Sequence, residues 1–283
     1  MSKIRTKTYL RLRHVSVCFF MLKEVDKTLN FMQLGTKFGL STIYSYLCAV
    51  DMKIFGIGMN YRNHVVEMQE KAPGGTPGAD GAYNQPVVFT KCHSALVTRG
   101  RPFFIPDYTQ ECEYEAELVV RICRMGRSIS ERFAHRYYDA VTIGVDFTAR
   151  DLQRKLRAEG LPWDIAKGFD GSAVIGEFRD FNGDSAPTLE GATNRYEDHK
   201  VAQMLKQGIN FRLDINGKTV QTGLSTDMIH SVDHLVSYIS RYFTLKTGDL
   251  IFTGTPAGVG PVHIDDHIEG WLDNDKVLEF NVK

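Results

Sequence analysis

The fold is organised around the stretch EYEAELVV at residues 113–120. Successive side chains of a β-strand point to opposite faces, so this stretch places Glu113, Glu115 and Glu117 on one face and mainly apolar residues on the other. Two hypotheses fit three neighbouring carboxylates. They form a solvated strand face, or they hold a hard divalent cation such as Mg²⁺, which prefers oxygen ligands.

A second strand, about thirty residues later, favours the metal hypothesis. Residues 140–145 read AVTIGV, which is apolar and rich in β-forming residues, and the run ends at Asp146. A buried strand that delivers one Asp at its end is typical of functional sites in sheet proteins. Two of the alternating glutamates and Asp146 therefore predict a site made of three carboxylates.

The composition excludes several classes of protein. The 283 residues are 43% hydrophobic and 24% charged, which is typical of a globular protein with a sizeable core. Lys and Arg total 34, as do Asp and Glu, so the charge indicates neither nucleic acid nor an acidic membrane as a partner. The apolar runs are too short for a transmembrane helix. Five cysteines without a C-x-x-C pair predict free thiols in a reducing compartment.

Residues 1–51 differ from the rest of the chain. Their start is basic, with no acidic residue before Glu24, which is the composition of an organellar presequence. A misassigned start codon or a partly ordered extension are the alternatives. We therefore predict an N-terminal extension at 1–51 and a working domain at 52–283. The expected location is the cytoplasm, or the mitochondrion if residues 1–50 are a presequence.

A possible general base follows the first strand of this domain. His64 and Glu67 are three residues apart, so on a helix they share a face. A histidine oriented by a carboxylate is the arrangement that deprotonates water, although such a pair is also an ordinary contact on a helix surface. The glycine- and proline-rich residues 71–85 predict a mobile loop, which is either a lid or a simple insertion.

The second half of the chain offers weaker signals. Lys167 stands among apolar neighbours, where it either meets an anionic substrate or extends to solvent. Residues 211–222 predict a hairpin with an Asn-Gly turn, and residues 228–242 an amphipathic helix. Residues 254–260 form a glycine-rich turn without the lysine of a phosphate-binding loop. Residues 179–207 are polar and predict an excursion from the fold.

Five motifs, taken in order, resemble the fumarylacetoacetate hydrolase family, and within it the short acylpyruvate-hydrolase-like branch. They cover the chain from about Met52 onwards, and they read GMNYRNHVVEM (58–68), YEAEL (114–118), DFTARD (146–151), LPWDIAK (161–167) and GDLIFTGTPAGVG (248–260). The resemblance implies a mainly β, α+β fold with a rolled mixed sheet and peripheral helices, a homodimer, and a Mg²⁺ or Mn²⁺ cofactor. Residues 1–50, 71–85 and 179–207 depart from the short-branch pattern.

The resemblance also implies roles for single residues. Glu115, Glu117 and Asp146 match the family's metal ligands, and Glu113 keeps a solvated or supporting role. The remaining matches are His64 and Glu67 as the dyad that activates water, Lys167 as the basic residue beside the substrate, and Arg150, Gln153 and Thr255 as substrate-binding residues.

The implied activity is hydrolysis of a C–C bond in an acylpyruvate or fumarylpyruvate, a small 2-oxo acid. In this reaction negative charge would develop on the substrate beside the metal, which acts as Lewis acid. His64 would activate the water, and Lys167 would supply positive charge. Decarboxylation or tautomerisation of oxaloacetate at the same site stays open. A non-catalytic binder of oxo acids or of a protein partner is the alternative of another class, although such a binder would not need the base.

Overall fold

Among the described residues, more residues lie in strands than in helices. The structure, a computed structural model, describes residues 52–71, 84–180 and 200–283. The predicted presequence, most of the predicted loop at 71–85 and most of the excursion at 179–207 lie outside the described residues. The strands are β1 Ile54–Gly58, β2 Val87–Lys91, β3 Leu96–Val97, β4 Cys112–Tyr114, β5 Ala116–Ile122, β6 Tyr138–Asp146, β7 Thr148–Ala149, β8 Ala173–Ile175, β9 Arg179–Asp180, β10 Asn210–Ile215, β11 Lys218–Leu224, β12 Leu250–Phe252, β13 Gly260–Pro261, β14 His267–Leu272 and β15 Asp275–Asn281.

Three sheets are formed from these strands. The largest is a curled mixed sheet in the order β2-β1-β12-β5-β6-β8-β3, with β9 paired to β6. A four-stranded antiparallel sheet has the order β11-β10-β14-β15, and a small sheet has the order β13-β4-β7. The helices are α1 Arg62–Lys71, α2 Glu131–Ala134, α3 Arg150–Ala158, α4 Asp164–Lys167, α5 Lys200–Gln207 and α6 Val232–Tyr242. The predicted α+β fold with a rolled mixed sheet and peripheral helices is confirmed.

The central strands β5 and β6 are buried on both faces. Leu118 and Val120 point into the main apolar core, while Val119 packs on the opposite face with Ile54 and Phe252. Apolar side chains on both faces explain why these strands read as nearly continuous hydrophobic runs. As a consequence, a polar residue placed in the middle of β5 is removed from water.

The deciding stretch is not one continuous strand. Ladder pairing changes at Glu115: β4 pairs with β7 and β13, whereas β5 pairs with β6 and β12. At the break, the backbone oxygen of Glu115 accepts a hydrogen bond from the backbone N–H of Asp146 at 2.9 Å. The predicted alternation therefore holds within two strands that belong to different sheets.

Two local predictions illustrate how tertiary contacts decide the ends of elements. The hairpin is confirmed, and Asn216 and Gly217 both have positive φ, at 52° and 75°, as a type I′ turn requires. The sequence also favours a helix at 128–138, but α2 is much shorter, because Ser128 has φ of 51° and its N–H donates to the backbone oxygen of Ser240 in α6. That contact holds the segment against α6 instead of letting it begin a helix.

Candidate active site

Three buried carboxylates meet where the sheets join. Glu115 lies at the break between β4 and β5, Glu117 lies inside β5, and Asp146 ends β6. They are 5%, 1% and 0% exposed, and one oxygen of each lies within 4.8 Å of the others. We call these three residues the carboxylate cluster. The pairing of β5 with β6 brings the strand-end Asp146 to the glutamates, as the sequence predicts.

Buried cations surround the carboxylate cluster. Nζ of Lys167 donates to Glu115 Oε2 at 2.7 Å and to Asp146 Oδ2 at 2.9 Å. Nζ of Lys91 lies 2.6 Å from Asp146 Oδ1. Its hydrogen bonds go elsewhere, to the backbone oxygen of Lys167 and to Ser172. These lysines are nearly inaccessible to solvent, so their charges offset those of the carboxylates in a medium of low dielectric constant.

The pKa shifts show an uneven distribution of charge. Burial alone would raise the pKa of Glu115, but Lys167, Arg150 and His64 hold it below its ordinary value. Burial raises the pKa of Glu117 well above its ordinary value, and the charges of Asp146 and Glu115 raise it further. Within the part of the chain that the structure describes, Glu117 forms no ion pair; it accepts the backbone N–H of Gly254 at 2.7 Å.

The carboxylate cluster fits a divalent cation. Among the described residues Asp146 Oδ1 is buried and has no hydrogen-bond partner, although it forms an ion pair with Nζ of Lys91 at 2.6 Å. Glu117 carries a carboxylate that its neighbours disfavour as an anion. Hard oxygen donors and an excess of negative charge are what Mg²⁺ and Mn²⁺ require. Glu115, Glu117 and Asp146 would hold the ion.

The predicted dyad lies beside this cluster. His64 and Glu67 are on α1, with His64 Nδ1 3.2 Å from Glu67 Oε2, and His64 is only 4% exposed. Glu67 also accepts the backbone N–H of Gly258 at 3.2 Å, so the glycine-rich turn holds it in place. The pair is therefore no surface contact, and His64 is near enough to Glu115 to lower the pKa of that residue.

The predicted substrate-binding residues fall into two groups. In the first, Arg150 opens α3 and uses all three of its nitrogens at 2.6 Å: it donates to Glu113, Glu115 and Gln153. The structure thus brings Arg150 and Gln153 together, and Glu113 accepts a hydrogen bond from the same guanidinium group. In the second, Thr255 follows Gly254 in the glycine-rich turn, is 2% exposed, and accepts a hydrogen bond from Gln221.

Sequence reasoning missed two residues of this site. Lys91 ends β2, and its ion pair with Asp146 spans 55 positions of the chain. Gln221, in the arm of the hairpin, reaches Ala116 between two members of the carboxylate cluster. A lysine at the buried end of an apolar strand is a usable signal for the first. No local pattern marks the second.

A cavity of about 470 Å³ borders the site at Lys167. Five of its eleven lining residues are aromatic, among them Phe89, Trp163, Tyr238 and Tyr242. The ring of Phe89 lies 5.3 Å from Nζ of Lys167 and 6.5 Å from the ring of Trp163, centre to centre. An apolar group of moderate size therefore has space next to the buried ammonium group.

A second set of possible metal ligands lies on the surface. His267, Glu269 and Glu279 face each other across β14 and β15, also with ligand atoms within 4.8 Å. Lys276 pairs with both of these glutamates, at 2.8 and 2.7 Å. We call His267, Glu269 and Glu279 the surface cluster.

Among the described residues, no helix has the length and apolar character needed to cross a membrane.

Known proteins similar to this chain agree with the geometry. The family model described as fumarylacetoacetate (FAA) hydrolase C-terminal matches residues 53–283. The chain is 34% identical over 227 residues to oxaloacetate tautomerase FAHD1, mitochondrial, from Bos taurus, which covers 80% of this chain and 90% of that relative. It is 32% identical over 219 residues to oxaloacetate tautomerase YcgM of Escherichia coli, covering 76% and 86%.

A solved structure gives the same result. The fumarylpyruvate hydrolase of Pseudomonas aeruginosa, crystallised with Mn²⁺ and pyruvate, superposes with a TM-score of 0.66 at 31% identity, covering 81% of this chain and 88% of that one. Family model, relatives and fold thus point the same way as the buried carboxylates. The chain belongs to the fumarylacetoacetate hydrolase family, whose members include hydrolases, isomerases and tautomerases.

Proposed function

We propose that this protein is a Mg²⁺- or Mn²⁺-dependent hydrolase that cleaves the C–C bond of acylpyruvates, fumarylpyruvate included. The observation that carries the proposal is the buried His64–Glu67 pair beside the carboxylate cluster. A protein that only binds oxo acids needs neither a base nor a second residue to orient it. The P. aeruginosa relative, named a fumarylpyruvate hydrolase, supports the same reaction class.

The dyad provides the nucleophile. Glu67 accepts from Nδ1 of His64, which leaves Nε2 as the nitrogen that takes a proton from water. The water oxygen forms a bond to the distal carbonyl carbon of the acylpyruvate. The C–C bond between that carbon and the methylene group then breaks, and its electron pair passes to the pyruvate part. Protonation of the methylene carbon yields pyruvate, and the other product is the free carboxylic acid.

Charge in this reaction is handled by buried groups. A divalent ion held by the carboxylate cluster supplies Lewis-acid stabilisation for the oxygen atoms of the 2-oxo acid. Burial alone would lower the pKa of Lys167, but Asp146 and Glu115 raise it above its ordinary value, which keeps the side chain charged. Lys167 can therefore stabilise the negative charge that develops on the pyruvate part.

Substrate binding falls to the remaining residues. Arg150 and Gln153 lie together beside Glu115. Thr255 follows Gly254, whose backbone N–H donates to Glu117. We assign them to the carboxylate and oxo groups of the substrate. The aromatic cavity next to Lys167 offers space for the acyl group, which oxaloacetate lacks.

A tautomerase or decarboxylase acting on oxaloacetate is the second candidate. Two relatives of this chain, at 34% and 32% identity, are named oxaloacetate tautomerases. Tautomerisation needs proton transfer next to a carbonyl group, which a histidine with an orienting carboxylate also provides, whereas decarboxylation needs no base to remove a proton from carbon. The two functions differ in whether water attacks the substrate.

One panel of substrates separates the candidates. Acetylpyruvate, fumarylpyruvate, 5-carboxymethyl-2-oxohex-3-ene-1,6-dioate and the enol form of oxaloacetate are each supplied with and without Mn²⁺, and products are identified by NMR. We expect pyruvate plus the free acid from the acylpyruvates. Fast enol–keto conversion of oxaloacetate with no cleavage of any acylpyruvate would refute the hydrolase and establish the tautomerase.

Two further properties belong to this proposal. We propose a homodimer, which light scattering coupled to size-exclusion chromatography tests directly. The cytoplasmic location, with the mitochondrial alternative, stays a prediction, because the basic N-terminal residues lie outside the described part of the chain.

A further inference from the structure

Gln221 connects two parts of the site from a different sheet. It lies on β11 in the four-stranded sheet and is only 2% exposed. Its Oε1 accepts the backbone N–H of Ala116 at 2.8 Å. Its Nε2 donates to Oγ1 of Thr255 and to the backbone oxygen of Pro256, both at 2.9 Å. One buried amide therefore joins the strand of the carboxylate cluster to the glycine-rich turn.

The partners of Gln221 fix which way its amide faces. A backbone N–H can only donate and a backbone carbonyl can only accept, so Ala116 must face the oxygen and Pro256 the nitrogen. The contact with Thr255 is therefore a hydrogen bond from Gln221 to the threonine oxygen, and not the reverse. This direction follows from heavy-atom positions alone.

A consequence follows for the hydroxyl hydrogen of Thr255. Its oxygen already accepts from Gln221, so the hydrogen must point away from that amide. That hydrogen is donated to the carbonyl oxygen of Pro256, but at 3.4 Å the hydrogen bond is long, and Gln221 donates to the same oxygen at 2.9 Å. Because a hydrogen bond of this length is weak, an anionic ligand can compete for the hydroxyl hydrogen.

We propose that Gln221 is a positioning residue that presents the hydroxyl of Thr255 as a hydrogen-bond donor to the 2-oxo acid. This inference rests on the proposed function, in which Thr255 contacts the substrate. Without Gln221, the carbonyl of Pro256 would lose its shorter hydrogen bond, and the hydroxyl of Thr255 would move closer to that carbonyl and stay bonded to it. The donor for the substrate would then be lost although Thr255 itself remained.

A double-mutant cycle tests the proposal, with pyruvate as the probe. Pyruvate binding to the Mn²⁺-loaded protein is measured by isothermal titration calorimetry for the parent, Gln221→Met, Thr255→Val and the double variant. Gln221→Met removes the amide at similar volume and adds no charge. We expect each single variant to weaken pyruvate binding about tenfold, the size of one hydrogen bond to a charged group. In the Thr255→Val background, Gln221→Met should change the affinity less than about twofold.

Two controls separate orientation from damage to the site. Thr255→Ser keeps the hydroxyl and should bind pyruvate within about threefold of the parent. Gln221→Glu keeps an acceptor for Ala116 but gives up the donor, so it should retain Mn²⁺ affinity and still lose pyruvate affinity. Its new negative charge would repel pyruvate in both backgrounds, whereas the orientation effect requires Thr255. The comparison with Thr255→Val therefore distinguishes the two causes, and it still applies if Gln221→Met does not fold.

The outcomes are distinct. Equal losses from the Gln221 substitutions with and without the threonine hydroxyl would overturn the positioning role, and so would unchanged binding in both single variants. A parent protein that binds Mn²⁺ but no pyruvate would refute the proposed function, and this inference with it. Pyruvate binding by the parent with additive effects would leave the proposed function standing and refute only the role of Gln221.

Discussion

The carboxylate cluster and the surface cluster each contain three possible metal ligands whose atoms lie within 4.8 Å of one another, yet their surroundings differ. Both use residues two positions apart in the sequence, Glu115 with Glu117 and His267 with Glu269. In the surface cluster the side chains of His267 and Glu279 are 39% and 49% exposed, and water together with Lys276 solvates the charge. In the carboxylate cluster, by contrast, Glu117 is buried and has no ion-pair partner among the described residues, and its pKa is raised. Spacing indicates where ligands can meet, and burial decides whether a cation is needed there.

The largest expected effect comes from removing the ion. Treatment with EDTA should abolish turnover of the preferred substrate, because the developing charge then lacks its Lewis acid. Mg²⁺ or Mn²⁺ should restore it, as followed by a continuous assay of substrate loss. Full turnover in the chelated protein would show that the carboxylate cluster is not a metal site.

Matched substitutions in the two clusters address the comparison itself. Glu117→Gln should reduce Mn²⁺ affinity by more than about 100-fold, since even supporting residues of metal sites are worth 10–100-fold. Glu269→Gln, which makes the same chemical change in the surface cluster, should leave it unaltered. Calorimetry with Mn²⁺ gives both values. Equal losses from the two variants would mean that the surface cluster, too, binds metal.

A parallel comparison concerns two histidine–carboxylate pairs with i,i+3 spacing. His64 is buried with Glu67, whereas His263 is 74% exposed at its side chain and lies 3.6 Å from Asp266. His64→Ala should lower acylpyruvate turnover by roughly 10²–10⁴ with metal content unchanged, as expected for loss of a general base. His263→Ala should have no effect on turnover. Oxaloacetate decarboxylation needs no attacking water, so its rate should fall far less in His64→Ala. If His64→Ala hydrolysed acylpyruvates at the wild-type rate, the dyad would have no part in the mechanism.

The smallest effect is a pH dependence of stability. Since the pKa of Glu117 is raised in the folded protein, its proton stabilises the fold fully below the ordinary carboxylate pKa, and this stability is lost as the pH rises through the raised pKa. In EDTA, the Tm of the parent relative to Glu117→Gln should therefore fall by a few degrees as the pH rises. Glu269→Gln should show no such trend. A constant difference in Tm would show that Glu117 is not perturbed.

The sequence predicted what is local or carried by the family motifs. Alternation along EYEAELVV and the strand-end position of Asp146 predicted a site of two glutamates and Asp146, because strand periodicity is a local property, and the resemblance selected Glu115 and Glu117. The Asn-Gly turn likewise depends on two adjacent residues with positive φ. The resemblance added His64 and Lys167 to one site, which spacing alone left open.

What the sequence did not predict depends on contacts between distant strands. Lys91 meets Asp146 only because β2 and β6 belong to the same curled sheet, with three strands between them. Gln221 belongs to a hairpin whose alternation satisfies its own sheet, so nothing in its neighbourhood indicates a partner 105 residues away. The break at Glu115 was not predicted, because polar and apolar residues keep alternating where the chain passes from one sheet to the next.

The position of Gly254 leaves no space for a side chain. It has φ of 100°, and a methyl group there would lie 2.6 Å from Cβ of Asn60, just before the helix of the dyad. Its N–H also holds Glu117. Gly217 has φ of 75° but no atom near its missing side chain. A saturation library should therefore accept Asn at 217. At 254, any side chain would push α1, which carries His64 and Glu67, away from the turn that holds Glu117.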